Sequence, residues 1–198
     1  MTNRQVAAAA TRKKLIDTTD QLIRKKGYDS ISVEDITKAS GVAKGTFYNY
    51  FKKKEDIIQA LTQSHLSDLT AQIPKLGNQD PQDSIRHYLN AYLQVVVDSD
   101  VQLARQWIRY IVEPTNHQKW EFDLGSLEQL LTNLVQEGRL SAATPVTPLA
   151  QLLTTEIYGL VFSWCISPET IDPLKDINTF CDLQLAAILK DYLTKTSE

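Results

Sequence analysis

Apolar residues recur every three to four positions along the whole chain, and nowhere alternate with polar ones over the length of a strand. No Asn-Gly or Asp-Gly pair stands between apolar runs to turn a hairpin. The sequence therefore predicts an all-α protein, and cutting the pattern at its turn residues gives nine helices. The first runs from about Ala8 or Thr11 to Lys26, with Leu15, Thr19, Leu22 and Ile23 inward and Gly27 as its stop. A second starts at Ser32, whose hydroxyl can accept from the amide of Asp35; Ile31 and Ile36 flank the cap as a hydrophobic staple. It ends near Gly41, and a third covers Ala43 or Lys44 to Tyr50. Longer helices follow: from Glu55 to Pro74, around Ile85 to Asp98, and from Val101 to Glu113 with Pro114 as the stop. One more ends near Gln136 before Gly138, and two strongly apolar helices run from about Leu149 to Ile166 and from Ile177 to Leu193.

The net charge of -3 is unevenly divided. Residues 1–54 carry 12 Lys/Arg against 5 Asp/Glu, a net +7, and residues 55–198 carry 9 against 19, a net -10. A basic end on an acidic remainder suits a polyanionic partner for the first segment alone. The expected organisation is a headpiece at 1–54, a three-helix helix-turn-helix unit, and a C-terminal body of about six helices at 55–198. No run of about 18 uncharged apolar residues suggests a membrane span, and the N-terminus does not read as a signal peptide, so a cytoplasmic protein is expected. Cys165 and Cys181 lie in apolar helical patterns and read as buried free thiols.

The most informative stretch is Lys44 to Phe51. On a helix Phe47 and Phe51 lie one turn apart and anchor it to the first two helices, leaving Thr46, Asn49 and Tyr50 on the opposite face. Only three or four residues, including Gly41, separate this helix from the second, which is a helix-turn-helix spacing. Lys44 and Lys54 can each neutralise a phosphate, and Tyr48 and Tyr50 can donate to phosphate oxygens. Thr46 and Asn49 suit base edges: Asn pairs bidentately with adenine and a Thr methyl meets a thymine methyl. Gly45 allows close approach to the backbone.

The run Leu22-x4-Gly27-Tyr28, Ser32-Val33-x2-Ile36, Gly41-Val42-x-Lys44-Gly45-Thr46-Phe47-Tyr48-x-Tyr50-Phe51-x2-Lys54-Glu55 resembles the tetracycline-repressor (TetR) family over about residues 11–60. The resemblance implies three N-terminal helices reading operator DNA, a body binding a small-molecule effector, and two C-terminal helices pairing with those of a second subunit. It implies Lys44, Gly45, Thr46, Tyr48, Asn49, Tyr50 and Lys54 as the DNA-facing set, with Ser32 or Val33 at the start of the second helix. Ala43 departs from the pattern, standing where the family often has a capping Ser.

In the body, Tyr88, Tyr92, Trp107, Tyr110, Trp120 and Phe122 concentrate aromatic surface on the middle helices. Such residues are commonly plain core, and with the resemblance they become the candidate effector pocket. Glu113, Glu121, Asp123 and Glu128 would favour a cation there, although surface carboxylates explain them equally. The dimer interface is expected at Leu153, Ile157, Gly159, Leu160, Val161, Trp164, Phe180, Ile188 and Tyr192, with Gly159 permitting close helix approach. His65, His87 and His117 have no metal-ligand spacing, and no phosphate loop, nucleophile elbow or dinucleotide fingerprint is present. No metal, no cofactor and no enzymatic activity are expected. The leading expectation is a homodimeric repressor released from a palindromic operator by an effector; a ligand-independent architectural DNA-binding protein is the rival reading, and an enzyme a more distant one.

Overall fold

The computed structural model describes residues 2–113 and 118–194. Among these the chain is helical and its only bridge between extended segments joins Leu140 to Leu193. Helix α1 (Asn3–Lys26) starts earlier than its apolar stripe suggests, because Thr2 and Gln5 form a reciprocal capping box ahead of the Ala run. Then come α2 (Val33–Ser40), α3 (Lys44–Tyr50) and α4 (Asp56–Thr70). A short helix, α5 (Ile73–Leu76), was not suggested by the sequence, nor was a 3-10 turn at Tyr28–Ser30: Pro74 sits in the first turn of α5 rather than ending α4.

The body continues with α6 (Pro81–Asp98), α7 (Val101–Ile111), α8 (Gln118–Gln136) and α9 (Val146–Ile166). The expected stop at Pro114 lies outside the described residues, as does His117. Gly125 proves to be inside α8, and Gly138 ends that helix with φ +66°. The last expected helix begins at α10 (Pro173–Phe180), passes through a π-helical turn at Cys181–Leu185 and finishes as α11 (Ala186–Leu189). Its start is set by Asp172, whose carboxylate accepts from the amides of Leu174 and Lys175, and by Pro173 at the first helical position. Cys165 is half-buried, Cys181 buried, and both are free thiols.

One apolar core runs from Leu15 and Ile16 of α1 through Ile57, Ile58 and Leu61 of α4 into the body. Helix α4 is thus the packed link between the first three helices and the rest. Helix α9 is long and apolar enough to cross a membrane by length and composition, but Glu156 interrupts it, so it holds no uncharged run of about 18 residues. It packs on α6, α7, α8 and α10.

Candidate nucleic-acid interface and body site

The headpiece is held by local chemistry before tertiary packing. Ser32 caps α2: the Asp35 amide donates to Ser32 Oγ at 3.1 Å, and the Ser32 amide donates back to the Asp35 carboxylate at 2.9 Å. Hydrogen bonding from Ser32 holds the Asp35 carboxyl below its usual value. Gly41 adopts φ +67°, ψ +30°, so the chain reverses within three residues and enters α3. Phe47 and Phe51 are buried with ring centroids 5.4 Å apart, and the Arg12 guanidinium lies 5.5 Å over the Phe51 ring.

That anchoring turns Lys44, Gly45, Tyr48 and Asn49 to solvent, with Thr46 and Tyr50 half-buried beside them. A Cβ on Gly45 would meet nothing within 4 Å, so the open space there is available to an incoming backbone. Ala43 caps α3 without a side-chain bond, as its departure from the family pattern implies. Ser32 and Val33 are half-buried at the start of α2.

The two lysines expected on phosphates differ. Lys44 is exposed and ion-paired with Glu34, a contact that DNA can displace. Lys54 is turned inward: its ammonium donates to the carbonyls of Tyr28 and Ile31 at 3.1 and 3.0 Å and lies 4.0 Å from the Tyr28 ring centroid. It ties the segment after α3 to the turn before α2 and is a positioning residue in this structure.

In the body, four helices converge on an ion pair that sequence reasoning missed. Lys119, 0% exposed, and Asp123, 3% exposed, pair one turn apart on α8. Asp123 Oδ2 also accepts from the hydroxyls of Tyr92 (2.7 Å, α6) and Tyr158 (2.8 Å, α9), and Lys119 Nζ donates to the Tyr92 hydroxyl at 3.1 Å. Asp123 is therefore no surface carboxylate. The Tyr158 ring stands edge-on to Trp107 and Trp120, at 5.0 and 5.2 Å. Burial drives the Lys119 pKa down against the opposing pull of Asp123, and drives those of Tyr88, Tyr92 and Tyr158 up, with the charge of Asp123 adding to it. Asp123 Oδ1 and Trp107 Nε1 are buried without a hydrogen-bond partner among the described residues.

Of the six aromatics expected around an effector, Tyr92, Trp107, Trp120 and Phe122 surround this pair, and Tyr88 feels its charge. Tyr110 does not join them: its hydroxyl donates to Gln59 Oε1 of α4 at 2.8 Å. A narrow cleft adjoins the cluster at Trp107, lined by His65, Leu66, Val96 and Leu103.

Body and headpiece also meet through polar contacts. Asp20 of α1 receives Arg24 Nε at 3.1 Å and faces His65 Nε2 of α4 at 3.3 Å, while Arg24 reaches the carbonyl of Asp98 at 3.2 Å. Burial raises the Asp20 carboxyl, but bonds and charge from His65 and Arg24 outweigh it and leave it lowered.

The residues expected at a subunit interface separate into two stripes. Leu153, Ile157, Val161 and Phe180 are buried in the protomer's own core, because their side of each helix is already covered by neighbouring helices. Leu160, Trp164, Ile188 and Tyr192 are half-buried, and only Gly159 is exposed. The exposed stripe of α9 is instead Leu152, Gly159, Phe162 (54%) and Ile166 (65%), and Leu183 (74%) is exposed on the last helix.

Residues 15–61 match the profile described as bacterial regulatory proteins, tetR family. The HTH-type transcriptional regulator AcrR of Shigella flexneri is 25% identical over 199 residues, covering 94% of this chain and 91% of that one. The fold is similar to Thermus thermophilus FadR, a TetR-family transcriptional repressor solved in complex with lauroyl-CoA (TM-score 0.73, 18% identity, 94% and 97% of the two chains). It is also similar to SmeT, the repressor of the Stenotrophomonas maltophilia multidrug efflux pump SmeDEF (TM-score 0.62, 18% identity, 93% and 91%). Residues 15–61, the helix-turn-helix segment, are thus similar to the N-terminal domain of bacterial regulatory proteins of the tetR family.

Proposed function

We propose that the protein is a cytoplasmic homodimeric repressor that holds operator DNA through α3 and is released by a small molecule bound in the body. The observation that carries the DNA reading is the outer face of α3, where Lys44, Tyr48 and Asn49 are exposed on a helix fixed from behind by Phe47 and Phe51. Lys44 and Tyr48 serve phosphates and Asn49, with Thr46 beside it, serves base edges. Gly45 admits the DNA backbone; Ser32, Val33 and Tyr50 flank the contact. Lys54 supports it indirectly by fixing the turn before α2.

The effector reading is supported by the Lys119–Asp123 cluster, since a buried ion pair costs more desolvation than an apolar filling of the same space. The dimer reading is supported by the exposed stripe of α9 with Leu183: Gly159 leaves open space at its centre, where a second helix can approach. Two-fold pairing then sets half-sites about 34–36 Å apart or a multiple of that.

Selection of bound fragments from random DNA, followed by anisotropy titration on the selected site, tests the reading. A near-palindromic site is expected, with Lys44→Ala weakening all sequences alike and Asn49→Ala relaxing preference at one base pair by about 1–3 kcal/mol. Affinity and selected sequence left unchanged by both substitutions would remove α3 as the reading helix.

A further inference from the structure

Proteins recognise organic cations with aromatic faces backed by a carboxylate in a site closed to water. All three are present around Lys119, and its own ammonium fills the position. Nζ lies 5.3, 5.4 and 5.8 Å from the ring centroids of Tyr92, Trp107 and Phe122, and it pairs with Asp123. The carboxylate is held independently of the lysine by the hydroxyls of Tyr92 and Tyr158, from α6 and α9. Lys119 lies one turn before Asp123 on α8, so it can be drawn outward with its own turn of that helix. Asp123, one turn further in, stays where it is.

We propose that this cage is a binding site for a small aromatic or alkyl monocation, which displaces the Lys119 ammonium from Asp123, so that Lys119 is a built-in competitor for the ligand. The proposal rests on the effector reading above and names the ligand class it would take. Charge counting selects a cation over an anion. Exchanging one cation for another leaves the buried cluster neutral, whereas an anion joining Lys119 and Asp123 brings the buried total to minus one in a medium that solvates it poorly. Asp123 Oδ1, buried and without a hydrogen-bond partner among the described residues, gives the incoming cation a second carboxylate oxygen.

The exchange is wired to the DNA-binding end. Gln118, adjacent to Lys119, accepts at 3.0 Å from Nε2 of Gln59, whose Oε1 accepts from Tyr110. Gln59 lies in the first turn of α4, three residues after Asp56, whose carboxylate accepts from the amides of Lys52 and Lys53 just beyond α3. Pulling Lys119 outward takes Gln118 with it, parts α8 from α4 and loosens the helix on which the headpiece is mounted.

The test is titration of the full chain with benzyltrimethylammonium, followed by the fluorescence of Trp107 and Trp120. Lys119→Met, which removes the competitor, is expected to bind about tenfold more tightly than wild type, and Asp123→Asn about tenfold more weakly. The anion 3-phenylpropionate, of similar size, is expected to bind none of the three. Lys119→Met leaves a carboxylate buried and its folding is not assured, so the exchange is also read in the wild-type protein. Lys119 is expected to resist reductive methylation in the free protein and to be labelled when the cation is present. Lys119 protected at saturating cation, a Lys119→Met variant that binds no more tightly than wild type, or preference for the anion overturns the proposal. Operator affinity measured in the same samples is a separate readout: cation binding that leaves it unchanged removes the effector reading and leaves the site standing.

Discussion

Removing Asp123 is the perturbation whose energetic consequence follows most directly from the structure. Asp123→Ala deletes the only carboxylate paired with Lys119 among the described residues, and the acceptor of the Tyr92 and Tyr158 hydroxyls, all inside a region closed to solvent. Breaking a buried pair from one side strands a charge and costs about 3–5 kcal/mol. In a domain of this size about 1 kcal/mol moves Tm by roughly 2–4 °C, so a loss of about 6–20 °C is expected. Replacing both partners, as Lys119→Met with Asp123→Leu, removes the charges together and is expected to match the wild type or exceed it by up to about 4 kcal/mol. Urea unfolding followed by far-UV circular dichroism, at one fixed protein concentration, supplies the double-mutant cycle. The single variant has a second signature. Burial already lowers the Lys119 pKa, and without Asp123 nothing among the described residues offsets it. Between the depressed folded value and the unfolded value near about 10.4 the unfolded chain binds the extra proton, so stability rises with pH. The deficit of Asp123→Ala is therefore expected to narrow from about pH 7 to about pH 9. A cost below about 1 kcal/mol, or a deficit that widens with pH, would refute the assignment of a charged, buried pair.

Three further outcomes are expected. Gly77→Ala places a Cβ 2.9 Å from Asn133 Cβ of α8, and overpacking there should cost about 1–3 kcal/mol, read as a lowered Tm; an unchanged Tm would show that the α5–α6 turn yields freely. Asp20 has a lowered folded pKa, so its contribution is present above the ordinary carboxylate value and is lost as pH falls through the folded one. Thermal melts of Asp20→Asn should accordingly lose less stability than wild type between about pH 4 and pH 2. Phe162→Glu, on the exposed stripe of α9, is expected to yield a folded monomer in light scattering with much weakened operator binding, and a dimer of undiminished affinity would place the interface elsewhere.

The headpiece was legible because its determinants are local. A cap three residues from its partner, a Gly where the chain reverses, and two aromatics one turn apart are readable without knowing what packs against them. Helix ends were less so. The start of α1 carries no apolar stripe, and only the Thr2–Gln5 pairing marks it. The start of α10 was written in the Asp172-Pro173 pair, a cap followed by a proline at the first helical position, and apolar periodicity alone passed over it. Lys119 and Asp123 illustrate the other kind of miss. An i,i+4 charge pair reads as a solvated face, and it is buried here only because α6, α7 and α9 meet over it, which no spacing within α8 encodes.

Helix α9 shows why periodicity identifies a helix without saying which side another helix covers. Leu149, Leu153, Ile157 and Val161 repeat every four residues; Leu152, Gly159 and Ile166 repeat every seven, with Phe162 between the last two. Both stripes satisfy helical spacing, and the sequence reading takes Leu153, Ile157 and Val161 from the first and only Gly159 from the second. Size does not separate the stripes, because Phe162 on the exposed one is larger than any of the four buried residues. A stripe kept for a second copy must be apolar, exposed and low enough for close approach, and Gly159 supplies the last requirement with no neighbour within 4 Å of its would-be Cβ. Gly159→Leu should therefore leave the protomer's stability nearly unchanged while weakening association, the reverse of what Leu153→Ala in the inner stripe should do.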